Sequence, residues 1–238
     1  MRAAAAVFLV AAALAACGGR DEGRATVFGA ASLTEVFKGL DPSARFNFAG
    51  SDELAGQIEE GARADVFAAA SMKYADKLFA ENLIERPRIF ATNRLVLVVP
   101  RNNPARIRSV ADAGRDNVKV VVAAEGVPVG DYTRAVLANM GREEVLENVV
   151  SNEEDVKGVV AKVAQGEADA GFVYATDAGP VADDVLAIEL PATAQPLIEY
   201  PIAILTEARH PEAARAFVAL VFGGRGRHAL REAGFGLP

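Results

Sequence analysis

Apolar residues along the chain keep to two periods that alternate. Runs such as ATVFG at 25–29, DVFAA at 65–69, RLVLVV at 94–99 and AGFVY at 170–174 are short and almost continuous in branched or aromatic residues, so they read as buried strands. RFNFA at 45–49 alternates as a half-buried strand does, and 118–123, 148–150 and 198–205 complete the expected set. Between these runs the spacing becomes helical. SDELAGQIEE at 51–60 sets Leu54 and Ile58 four apart, with Asp52 and Glu53 in the first turn, where the helix dipole favours acids. Helices are likewise expected at 32–39, 72–80, about 130–140, 153–165, 211–222 and 226–233. Strands alternating with amphipathic helices predict an α/β fold with helix-covered sheets, and no internal repeat interrupts the rhythm.

Two polar, proline-rich stretches punctuate the alternation. One, at 93–108, carries Pro100, Asn102, Asn103 and Pro104; the other, at 191–201, carries Pro191, Pro196 and Pro201. If both are crossings between lobes, lobe one comprises 24–95 plus 198–238 and lobe two 96–197. A single continuous domain with surface loops satisfies the same pattern.

The start of the chain follows a different rule. Met1 and Arg2 precede an unbroken apolar stretch of 14 mostly small residues, 3–16, and the chain turns polar directly after Cys17. Fourteen helical residues rise roughly 21 Å against a hydrocarbon core of roughly 30 Å. The segment therefore reads as a signal peptide, 1–16, and not as a span. LAAC at 14–17 resembles the lipobox of bacterial lipoproteins, which implies a lipidated Cys17, a tether over 17–23 and an extracytoplasmic protein anchored to the membrane. An ordinary signal peptide followed by a buried free thiol is the alternative.

Composition narrows the chemistry. The chain has 238 residues, 25 basic against 32 acidic, a net charge of -7, one Cys and two His. One cysteine excludes an internal disulfide, and Cys17, His210 and His228 are too few and too scattered for a structural zinc or another bare-cation site. Net acidity without a basic cluster argues against nucleic acid. Both histidines read as surface residues, and no nucleophile–base pair or metalloprotease motif can be assembled, which argues against an enzyme and its cofactors. What remains are glycines at strand-to-helix turns, Gly29, Gly50, Gly126 and Gly130, with Ser32 and Ser51 close by. Turns of that kind bind ligands in open α/β sheets, and exposed N–H groups at helix starts make them anion sites. Ser32, with Glu35 three residues on, and Ser51 are equally well read as ordinary N-caps.

Taken as a set, the turns are recognisable. GAASLTEVF at 29–37, FAGSDELAGQIEEGARADVFAAAS at 48–71, VPVGDYTR at 127–134, EEDVKGVVAKVAQGEADAGFVYATDA at 153–178 and IEYPIAILTEARHPEAARAFV at 198–218 resemble the periplasmic molybdate-binding proteins of ABC importers, in the family's order. The resemblance implies a two-lobed periplasmic-binding-protein fold of type II, with a ligand cleft between the lobes. It also implies a monomer that captures a tetrahedral oxyanion, molybdate or tungstate, and hands it to an ABC permease and its ATPase. Carried over by motif, the ligand-binding positions are Ser32, Ser51, Val129, Val156 and Tyr174, acting through hydroxyls of the serines and tyrosine and through backbone N–H groups. Sulfate or phosphate is the rival cargo, and a ligand-sensing module or an enzyme on the same fold is a more distant reading. Two departures stand out. Only seven residues separate Phe37 from Arg45, which shortens the first helix region, and Asp52 follows Ser51 where many relatives carry a small residue. Asp52 is either a solvent-facing acid at the helix start or a carboxylate near the anion, where it would repel a dianion or accept a proton from phosphate.

Overall fold

The structure is a computed structural model that describes residues 23–238; the expected leader and the Cys17 anchor lie outside the described residues. In chain order the first elements are β1 (Thr26–Ala30), α1 (Thr34–Leu40), β2 (Arg45–Ala49), α2 (Ser51–Glu59), β3 (Val66–Ala68), α3 (Met72–Ala80) and β4 (Arg88–Asn93). They are followed by β5 (Leu95–Pro100), α4 (Val110–Ala113), β6 (Val120–Ala123), α5 (Pro128–Met140), β7 (Val149–Glu153), α6 (Val156–Ala164), β8 (Ala170–Tyr174), α7 (Ala175–Ala178) and β9 (Val185–Glu189). The chain closes with β10 (Ile198–Ile204), α8 (Pro211–Phe222) and α9 (Gly224–Glu232). No helix among the described residues is long and apolar enough to cross a membrane.

These elements build two five-stranded mixed sheets, ordered β2-β1-β3-β10-β4 and β7-β6-β8-β5-β9, with helices against both. The fold is α/β, as the alternation predicted, and two-lobed, as the resemblance implied. In each sheet three parallel strands carry the turns of interest, and antiparallel strands complete the far side. The chain passes from the first sheet to the second across Arg94 alone and returns through 190–197. Gln195 ties the two passages together. Its side chain accepts from the Leu95 N–H at 2.9 Å and donates to the Leu95 carbonyl at 2.8 Å.

Hydrophobic burial holds each sheet to its helices. Phe37 of α1 packs edge-on against Phe217 of α8, their centroids 5.1 Å apart, and lies 5.9 Å from Phe90 of β4. On the second sheet Val96, Leu97, Val98 and Val99 of β5 are all buried, which is why that run carries no polar alternation.

Strands β4 and β9 were not expected from the pattern. Both are edge strands, and β9 alternates half-buried with exposed positions after a buried Val185, so neither shows the continuous apolar run of a central strand. The helix expected over 153–165 begins only at Val156. Glu153 still pairs with Ala123 in the sheet, and the Asp155 side chain accepts from the Gly158 N–H at 3.0 Å, which fixes the start of α6. His210, expected on the surface, is largely buried at its side chain and rests on Asp65, which accepts from its backbone N–H at 2.8 Å and lies 3.1 Å from its Nδ1.

Candidate functional site: a small cavity between the sheets

Register decides which turns meet. Parallel β1 and β2 pair Ala30 with Ala49, so the turns after these two strands emerge side by side, one bearing Ser32 and the other Ser51. In the second sheet Ala123 pairs with Glu153, which sets the start of α5 beside the start of α6. Tyr174 ends β8 next to them. All five turns thus leave the carboxyl ends of parallel strands, where ligands of open α/β sheets bind. One cavity is lined by Ser32, Ser51, Val129, Val156 and Tyr174 together, with Asp155 and several alanines completing the wall. It offers ≈ 20 Å³ to the centre of a water-sized sphere, equivalent to a void of about 3 Å radius. That suits a compact ion.

Neither serine caps its helix. Ser32 sits in a 3₁₀ turn, Ala31–Leu33, and its hydroxyl lies 2.9 Å from the Tyr200 hydroxyl. Ser51 is the first residue of α2 behind Gly50, and its Oγ accepts from the Ala70 N–H at 3.0 Å. The ordinary N-cap reading of both is therefore corrected. A cap would spend the side-chain oxygen on the residue's own helix, whereas these hydroxyls face other elements and the cavity. Helix α5 starts close against the end of β6, because Gly130 has no side chain: a Cβ there would lie 2.1 Å from the Ala124 carbonyl oxygen. This close approach brings the first N–H groups of α5, which have no intrahelical partner, to the cavity wall.

Tyr174 carries the plainest signal. It is buried, lines the cavity, and its hydroxyl has no hydrogen-bond partner. Burial raises its pKa well above the ordinary tyrosine value, so it stands ready as a donor. No Lys or Arg lines the cavity. Apart from the Asp155 carboxylate, which accepts from the Gly158 N–H at the start of α6, the wall offers neutral donors, three hydroxyls and the N–H groups at helix starts, an arrangement suited to an acceptor-only anion.

Asp52 follows neither of its two expected readings. It does not line the cavity, yet its Oδ1 is buried without a partner. Burial raises its pKa, opposed by the N–H groups of Asp52 and Glu53, and Asp131 and Lys73 face it with opposite effects. It lies where the lobes touch. A Cβ at Gly50 would stand 2.6 Å from Asp52 Oδ1 and 2.8 Å from the Glu154 carbonyl oxygen of the other lobe. At the same seam Lys73 pairs with Asp131 at 3.0 Å, and the Tyr74 hydroxyl donates to the Gly126 carbonyl. The sequence pattern pointed to neither Tyr200 nor Asn93, which support Ser32 from β10 and β4. Such support exists only once the strands are placed.

Comparison with known proteins agrees with this geometry. The sequence pattern of the family described as bacterial extracellular solute-binding proteins matches residues 26–236. The molybdate-binding protein ModA of Mycobacterium tuberculosis is 41% identical over 222 residues, covering 89% of this chain and 84% of that protein. ModA of Escherichia coli is 31% identical over 236 residues, covering 90% of each chain. Among solved structures, the periplasmic molybdate-binding protein of Azotobacter vinelandii superposes with a TM-score of 0.80 at 21% identity, covering 90% of this chain and 100% of that one.

Proposed function

The chain belongs to the family of bacterial extracellular solute-binding proteins, and we propose that within it this protein is the molybdate-binding component of an ABC importer. The observation that carries this reading is the buried, unpartnered Tyr174 hydroxyl in a cavity otherwise walled by serine hydroxyls and helix starts. A fully ionised tetrahedral oxyanion offers only acceptors, so neutral donors satisfy it, and their dipoles are fixed before it arrives. Ser32, Ser51 and Tyr174 donate through their hydroxyls, and Val129 and Val156 through backbone N–H groups. The names of the relatives at 41% and 31% identity favour molybdate over sulfate or phosphate. Tungstate shares its shape and charge and competes for the same cavity.

The protein works by capture and delivery and not by turnover. Lobe one, 24–95 plus 198–238, holds the two serines; lobe two, 96–197, holds the other three positions. A ligand gripped by both lobes stabilises the arrangement in which they touch, and that shape is what a permease and its ATPase read. Cleavage before Cys17 and lipidation of that residue anchor a monomeric protein to the outer face of the membrane. Isothermal titration of ligand-stripped protein tests the cargo. Molybdate and tungstate are expected to bind with one site per chain and to displace each other, with sulfate and phosphate far weaker; tight phosphate binding with no molybdate heat would overturn the assignment.

A further inference from the structure

Three hydrogen bonds outside the cavity set the direction of a fourth inside it. The Asn93 amide is oriented by its own neighbour, because Oδ1 accepts from the Arg94 N–H at 2.9 Å. Its Nδ2 therefore faces inward and donates to Thr176 Oγ1 at 2.9 Å and to Tyr200 Oη at 3.3 Å. Tyr200 is fully buried, with its ring wedged edge-on against Phe90, Tyr174 and Phe235. The 2.9 Å contact between Tyr200 Oη and Ser32 Oγ can run either way between the two hydroxyls, and a Tyr200 oxygen that already accepts from Asn93 favours Tyr200 as its donor. Ser32 then accepts from Tyr200, and its own hydrogen is turned toward the cavity.

We infer that Tyr200, oriented by Asn93, is a positioning residue that locks the Ser32 hydroxyl as a donor and so makes the site select oxyanions that carry no proton. The second serine is locked in the same sense by different means, since Ser51 Oγ accepts from the Ala70 N–H at 3.0 Å. With one lone pair of each serine already used and its hydrogen turned to the cavity, both serines meet the ion as donors. An ion bearing an O–H group must compete for the single lone pair that remains on each, at a cost that full ionisation avoids. Burial holds the Tyr200 hydroxyl protonated, with its pKa pushed far above the ordinary tyrosine value, so the lock does not lapse at any ordinary pH.

This inference rests on the reading of the cavity as an oxyanion site, and its test separates the two. Sulfate and hydrogen phosphate are nearly equal in size and, at pH 8, in charge, but only phosphate carries a proton. Titrating wild type, Tyr200→Phe and Asn93→Asp with molybdate, sulfate and phosphate at pH 8 and fixed ionic strength reads the ratio directly. The Tyr200→Phe change removes the donor to Ser32 and keeps the ring. The Asn93→Asp change reverses the chain: the new carboxylate accepts from Tyr200, which then accepts from Ser32 and draws that hydrogen away from the ligand. Both variants are expected to lose about 3- to 10-fold in molybdate affinity. In both, the preference for sulfate over phosphate should shrink by a similar factor, because the ligand-facing side of Ser32 is no longer fixed as a donor. The negative charge introduced by Asn93→Asp weakens all dianions alike and leaves the ratio to report on the hydrogen. Thermal melting of each variant establishes that it is folded. If all three anions weaken in equal proportion, Tyr200 serves packing only and the inference is overturned; if wild type binds none of them, the oxyanion reading falls first and takes this one with it.

Discussion

At the scale of single residues, Tyr174 gives opposite signs for folding and for binding, which makes it a clean probe. In the ligand-free protein its buried hydroxyl is unpartnered, a state that costs about 1–3 kcal/mol. Tyr174→Phe keeps the ring and removes that group, so the ligand-free variant should be at least as stable as wild type in chemical denaturation. With molybdate the same change removes a hydrogen bond to a charged partner, costing about 1.5–3 kcal/mol, or about 10- to 150-fold in affinity. If the tyrosine merely filled space, the same change would leave affinity unaltered. Ser32 and Ser51 stood out from their turns alone, whereas Val129, Val156 and Tyr174 were reached only through the family resemblance; the structure brings all five to one cavity wall. Their hydrogen bonding was not legible. Local spacing makes Ser32 and Ser51 look like caps, and only the placement of β3, β4 and β10 reveals Ala70, Asn93 and Tyr200 as their partners.

At the scale of elements, the short helix α7 stores a charge where none is comfortable. Asp177 is fully buried one turn after Tyr174, and Lys157, partly exposed at the start of α6, pairs with it at 2.9 Å from its Oδ1. Burial pushes the Asp177 pKa up to about 6, with Lys157 opposing the shift. The folded protein thus holds this proton more tightly than the unfolded chain does. The stability it contributes is complete below the unfolded value, about 3.9, and is lost as pH rises through about 6. Asp177→Asn removes that dependence. It should be more stable than wild type by about 1–3 kcal/mol at pH 7.5, with the advantage vanishing toward pH 4, as read by urea unfolding at several pH values. A variant less stable than wild type at pH 7.5 would show that the Lys157 pair outweighs the burial. The acids at 153–155 illustrate the limits of reading elements from the chain. Charge and helical spacing run together there, and only the Ala123 pairing shows that Glu153 is still strand while Asp155 already caps α6.

At the scale of the whole molecule, the order of strands and helices was legible because central strands are apolar throughout and their helices amphipathic, whereas β4 and β9 escaped notice as weakly patterned edges. The contact between the lobes was not legible at all. The Lys73–Asp131 pair, the Tyr74–Gly126 hydrogen bond and the approach of Gly50 to Glu154 join residues far apart in sequence, and no local pattern announces them. These contacts close the cleft over a cavity sized for one small ion; under the proposed function they are what would couple occupancy to the shape presented to a permease. A crystal structure of the protein soaked with tungstate, read at the tungsten absorption edge, tests this most directly. One anomalous peak is expected in the cavity, with oxygens of the ion within hydrogen-bond distance of the Ser32, Ser51 and Tyr174 hydroxyls and of the Val129 and Val156 N–H groups. A saturating ion found elsewhere, with this cavity empty and Tyr174 still unpartnered, would contradict it.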